Sequence, residues 1–128
     1  MSDSDALLAP MTDAVHGEFG GVVTDTVAAG TARIKRLVYP VGMRWSTDIK
    51  PLVGGDVCVH THVGFLARGH LHGEYADGCE FDFTAPTGVV IAPGHDAWVV
   101  GDEPAVLIQF DFERDTMDRL GVTEHQHS

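Results

Sequence analysis

Positive charge is scarce in this chain. Eight Lys and Arg stand against nineteen Asp and Glu, a formal charge of −11. Such a surface repels phosphate backbones and anionic lipid, so neither nucleic acid nor a membrane is expected as a partner. Cysteine is scarcer still: Cys58 and Cys79 are the only two, and without a C-x-x-C spacing they exclude a zinc knuckle and a thioredoxin-type redox motif. Apolar runs extend for only a few residues, far short of a membrane span. The opening MSDSDALLAPM carries acids where a secretory signal would carry Lys or Arg. A cytoplasmic location with reduced thiols is therefore the expectation. Also missing are a GxSxG elbow, a Ser/His/Asp order and a phosphate-cradling glycine loop; Gly20-Gly21 and Gly54-Gly55 read as turns.

What is present is the composition of one folded domain: 128 residues, 44% hydrophobic and 21% charged. From Gly20 onward helical periodicity is lacking, and short runs of Val, Ile, Thr, Phe and Tyr alternate with Gly, Pro and Asp, an all-β pattern. The expected strands are Val22 to Thr26, Ala32 to Tyr39, Asp56 to Leu66, His70 to Tyr75, Glu80 to Thr84, Val89 to Ile91, Ala97 to Val100 and Ala105 to Phe112. Residues 1–19 read as an N-terminal arm, with Ser2-Asp3-Ser4-Asp5 capping a short helical turn that ends before Pro10. Residues 20–114 read as the β-strand body, and 115–128 as a capped helical turn with a Gly121 stop and a tail.

The Asp77-Gly78 hairpin has two candidate registers. A two-residue loop pairs Glu74 with Phe81; a three-residue loop, Ala76-Asp77-Gly78, pairs Gly73 with Phe81 and Leu71 with Phe83. The second separates apolar from polar residues, and it places His70, His72, Glu74, Glu80 and Asp82 together on the wetter face. His72 opposite Asp82 then reads as a cross-strand polar pair rather than a pair of ligands.

The strongest chemical signal is His60-Thr61-His62 inside a run with Val57, Val59 and Val63. On a strand, residues i and i+2 share a face, so both imidazoles, with Cys58 beside them, can converge on one cation. Alternation by itself also allows the reverse, valines in the core and histidines in water.

Together these motifs resemble the cupin superfamily, whose first motif reads G-x5-H-x-H, three or four residues, Glu, six residues and Gly. Gly54, His60, His62 and Gly73 fit that spacing, with Leu66 or Ala67 at the Glu position. In a second alignment His62 to Gly69 matches E-x6-G, His62 stands at Glu, and Asp56 and Cys58 take the two His positions. The second family motif, P-x-G-x2-H, is similar to Ile91 to Ala97, with Ala92 and Ala97 at the Pro and His positions and His95 two residues early. The segment Arg44 to Pro51 looks like one found in a bacterial subgroup of single-domain cupins.

The resemblance implies an antiparallel jelly-roll barrel, the double-stranded β-helix, in a single-domain homodimer. It implies a pocket in which His60, His62 and His95 hold a metal, with Cys58 as fourth ligand, while Trp45, Tyr75 and Trp98 cover a small molecule. Imidazoles with a thiolate suit a divalent transition metal, zinc, iron or nickel, over magnesium or calcium. A metal-dependent oxygenase, isomerase or lyase would use that ion. The alternatives are a metal-free binding or sensing domain, and a structural module whose interior is plugged by Phe81, Phe83, Phe110 and Phe112.

Overall fold

Glycines with positive φ at Gly20, Gly21, Gly30, Gly69 and Gly78 turn the chain between strands that pair antiparallel throughout. The computed structural model describes residues 6–53, 61–112 and 116–121. Its strands are β1 (Val15–Phe19), β2 (Val22–Ala29), β3 (Ala32–Tyr39), β4 (His62–Arg68), β5 (His70–Tyr75), β6 (Glu80–Thr84), β7 (Thr87–Ile91), β8 (His95–Val99) and β9 (Ala105–Phe112). They form a six-stranded sheet in the order β1-β2-β3-β9-β4-β7 and a three-stranded sheet in the order β6-β5-β8. Leu37, Leu66, Val89, Ile91 and Leu107 from the large sheet meet Leu71, Tyr75 and Val99 from the small one in a single apolar core. The all-β content is what the strand pattern predicts, and the two facing sheets give the jelly-roll architecture that the resemblance implies.

The hairpin follows the three-residue loop. Tyr75 N–H donates to Cys79 O at 2.7 Å, Gly78 N–H donates to Tyr75 O at 2.9 Å, and Gly78 takes φ 93°. Gly73 pairs with Phe81, Leu71 with Phe83 and His72 with Asp82.

Strand ends differ from the sequence reading at β2, which runs on to Ala29, at β7, which starts at Thr87, and at β8, which spans His95–Val99, and larger departures lie elsewhere. Val15–Phe19, within the expected arm, is an edge strand on β2, and residues 6–8 form turns instead of a helix. Between β3 and β4 a π-helical turn, Trp45–Ile49, runs into a short helix, α1 (Lys50–Val53), where no helix was expected. Finally, β4 begins at His62 and continues to Arg68; the expected strand residues from Asp56 to His60 lie outside the described residues. The short C-terminal helix is present as α2 (Thr116–Leu120), ending at Gly121 with φ 73°.

Candidate functional site

His62 opens β4 on the face that carries Leu66, which is fully buried, while Val63 and Phe65 point the other way and Phe65 is 45% exposed. For this strand the valine faces out and the histidine faces in. Across the barrel His95 opens β8 opposite Tyr75 and is 2% exposed. The two imidazole rings meet edge to face with centroids 5.3 Å apart.

Each ring is anchored through Nδ1. His95 Nδ1 donates to the backbone oxygen of Ala92 at 2.8 Å, and His62 Nδ1 bonds Gln109 Oε1 at 2.8 Å. An oxygen of either kind only accepts here, so the proton sits on Nδ1, and Nε2 is the nitrogen that carries the lone pair whenever the ring is neutral. That tautomer is the one a metal-binding imidazole uses when its other nitrogen donates to an oxygen. Tyr75 and Phe81 pack around His95 with centroids at 6.3 and 6.0 Å, and Phe83 follows at 5.8 Å from Phe81. The wall on the small-sheet side is therefore aromatic and largely dry. Phe110 and Phe112 face outward, Phe110 half exposed and Phe112 beneath the Arg119 guanidinium at 4.9 Å, so only two of the four phenylalanines expected as plugs point into the barrel.

Of the expected site residues, His62, His95 and Tyr75 come together. His60 and Cys58 lie outside the described residues. Trp45 is 8% exposed, buried in the π-helical turn that packs on β8. Trp98 is placed differently from the expectation: three residues beyond His95, it projects from the outer face of β8. There it lies between the Arg44 guanidinium at 4.1 Å and the His72 ring at 5.1 Å. The alternation of strand side chains makes it unable to cover the same pocket as His95.

Gln109 and Asp111 were not foreseen as site residues. Both are buried on the inner face of β9, 5% and 6% exposed, and Arg33 of β3 reaches Asp111 from the adjacent strand. The signal was available in the run Leu107-Ile108-Gln109-Phe110-Asp111, where polar residues continue the face that Ala105 and Leu107 commit to the core. Among the described residues no group of three or more His, Cys, Asp or Glu is arranged to hold a metal ion; His62 and His95 form a pair.

No protein-family model matches the chain, and no curated protein matches it significantly. Solved structures do. A Cupin 2 conserved barrel domain protein from Salinispora arenicola CNS-205 superimposes with a TM-score of 0.55 at 16% identity, over 89% of this chain and 94% of its own. The cupin domain of Schizosaccharomyces pombe Cnp3 gives 0.51 at 12% identity, over 83% of this chain and 71% of its own. CapF, solved with the inhibitor 3-isopropenyl-tropolone, gives 0.51 at 13% identity, over 80% of this chain and 31% of its own. At these identities the likeness shows the fold alone: the chain folds as a cupin-type barrel.

Proposed function

We propose that this cupin domain binds a divalent transition metal at the inner end of its barrel and, with it, a small molecule. The observation that carries the reading is the matched pair of imidazoles, His62 and His95, each with Nδ1 committed to an oxygen and Nε2 left as the lone-pair nitrogen. With ring centroids 5.3 Å apart, both rings can reach a common ion at bonds of about 2.0–2.1 Å. The remaining donors would come from His60 and Cys58, which precede His62 closely in the chain. Imidazole and thiolate donors favour zinc, iron or nickel.

Such an ion supplies a Lewis acid with an open position. The chain's own residues do the rest: Ala92 O and Gln109 hold the two rings in place, and Tyr75, Phe81 and Phe83 exclude water from one side of the ligand space. The inhibitor in the CapF structure belongs to that protein, and it supports a small-molecule role for a barrel of this shape. Phe65, Val90 and Phe110 project from the outer face of β4, β7 and β9 at 45, 59 and 50% exposure. An uncharged apolar face on so acidic a chain supports the homodimer, which sedimentation velocity would detect.

Elemental analysis of untagged protein, purified without chelator, tests the metal. Near-stoichiometric zinc, iron or nickel that disappears in the His62→Ala/His95→Ala double variant is the expected result. A protein that takes up none of the three on incubation leaves the metal-free binding domain in its place.

A further inference from the structure

Three polar side chains run in line from the back of His62 to the flank of the large sheet. Arg33 Nε donates to Asp111 Oδ1 at 2.8 Å, and Arg33 Nη2 donates to Phe112 O at 3.3 Å. Gln109 Nε2 donates to Asp111 Oδ2 at 3.2 Å, and Gln109 Oε1 meets His62 Nδ1 at 2.8 Å. The order of these bonds is forced. A carboxylate paired with a guanidinium accepts only, so Gln109 must turn its NH2 toward Asp111. An amide has one oxygen, which then faces His62 and obliges Nδ1 to carry the ring proton.

We propose that Gln109, Asp111 and Arg33 are positioning residues that lock His62 in the Nδ1–H tautomer and so aim its Nε2 lone pair at the ligand shared with His95. The inference deepens the metal reading and rests on it only for the identity of that ligand. His95 serves as an internal reference, because a backbone oxygen fixes its tautomer and no substitution in the relay touches it.

The relay can be reversed without emptying it. In Asp111→Asn the new amide keeps its oxygen toward Arg33 and turns its NH2 toward Gln109. Gln109 then flips, presents its own NH2 to His62 Nδ1, and the ring proton moves to Nε2. Long-range 1H–15N spectra of the chelator-treated full chain, recorded above neutral pH, read this directly, with the His62 and His95 signals assigned by their loss in the alanine variants. The expected result is Nδ1–H at both rings in the unaltered protein, and Nε2–H at His62 alone in Asp111→Asn. If Asp111→Asn fails to fold, Gln109→Met is read the same way: a tautomer mixture at His62 supports the relay. A wild-type His62 protonated at Nε2, or a His62 tautomer unmoved by the substitution, overturns it.

Zinc titration of the same samples separates the two readings. An affinity loss of about 10–100-fold in the variant accompanies the tautomer change if both hold. An unaltered protein that takes no zinc, beside a variant whose His62 tautomer reverses, keeps the relay and loses the metal reading; a variant that binds zinc as the unaltered protein does, with an unmoved tautomer, loses the relay.

Discussion

Tyr75 and His95 stand opposite one another on β5 and β8 and grip the same residue from two sides. The Tyr75 hydroxyl accepts the Ala92 N–H at 3.1 Å, and the Ala92 oxygen accepts from His95 Nδ1 at 2.8 Å. Ala92 is 5% exposed, so its N–H has little access to water if the hydroxyl is removed. Tyr75→Phe is therefore expected to destabilise the fold by about 1–3 kcal/mol, the cost of a buried unpaired donor. Urea denaturation measures it, and on the proposed metal reading Tyr75→Phe should also lower zinc affinity by loosening the turn that carries His95.

β3, β5, β6 and β9 begin and end at the residues read from sequence, because each is a run of alternating or apolar residues bounded by Gly, Pro or Asp. The hairpin register was legible for the same reason: only one loop length sorts apolar from polar. Val15–Phe19 was not legible, since all five of its residues are exposed and such an edge strand carries no burial pattern. His62 and His95 could be picked by type and position, yet what orients them could not. Arg33 and Asp111 are 78 residues apart in sequence and meet only through the pairing of β3 with β9. Trp98 lies close to His95 in sequence, but its parity on β8 is opposite, so it projects from the other face of the sheet.

Gly73 faces the barrel interior between Ala97 and Phe81. A Cβ there would run into the Phe81 ring and come within 2.5 Å of the Asp96 backbone oxygen. Gly73→Ala must displace the Phe81 ring, which meets the His95 ring at 6.0 Å. The expected cost is about 1–3 kcal/mol from overpacking, read as a lowered denaturation midpoint. Altered aromatic side-chain shifts for Phe81 and His95 would show the displacement itself.

On the outer face of the small sheet, His72 bonds Asp82 at 2.7 Å through Nδ1 and Glu80 at 2.7 Å through Nε2. The bond to Asp82, then that to Glu80, raise the imidazole above its ordinary 6.5 despite partial burial. A raised histidine contributes stability that is fully present below 6.5 and is lost as pH rises through the folded value. Because Asp82 is 49% and Glu80 59% exposed, the contribution is small, about 0.5 kcal/mol. Asp82→Asn should lower the His72 midpoint in an NMR titration, and the stability difference from wild type should shrink as pH rises above 6.5. An unchanged midpoint would show that Asp82 does not hold the proton there.

The largest electrostatic commitment lies on the opposite side of the molecule, where Asp25 and Arg36 face each other across β2 and β3 at 2% and 3% exposure. Asp25 Oδ2 accepts from Arg36 Nη2 at 2.8 Å and from the Met11 N–H at 2.7 Å, while Oδ1 accepts from His16 Nδ1 at 2.7 Å. Arg36 Nη1 donates to Ala9 O at 2.6 Å, so the pair ties the N-terminal segment to the outer face of the large sheet. Asp25→Asn leaves a buried guanidinium without its counter-charge, for an expected loss of about 3–5 kcal/mol. Replacing both partners, as in Asp25→Leu/Arg36→Met, should cost less than the single change, since no isolated charge remains buried. The acid limb of the stability curve carries the same signature. Burial works to raise the Asp25 carboxyl, but the bonds from His16 and Met11 and the charges of His16 and Arg36 together hold it below 3.8. Its contribution is thus present above 3.8 and lost as pH falls through the folded value, a slope that Asp25→Asn should flatten. A variant as stable as wild type near neutral pH, with an unaltered acid limb, would mean that the pair does not hold the segment down.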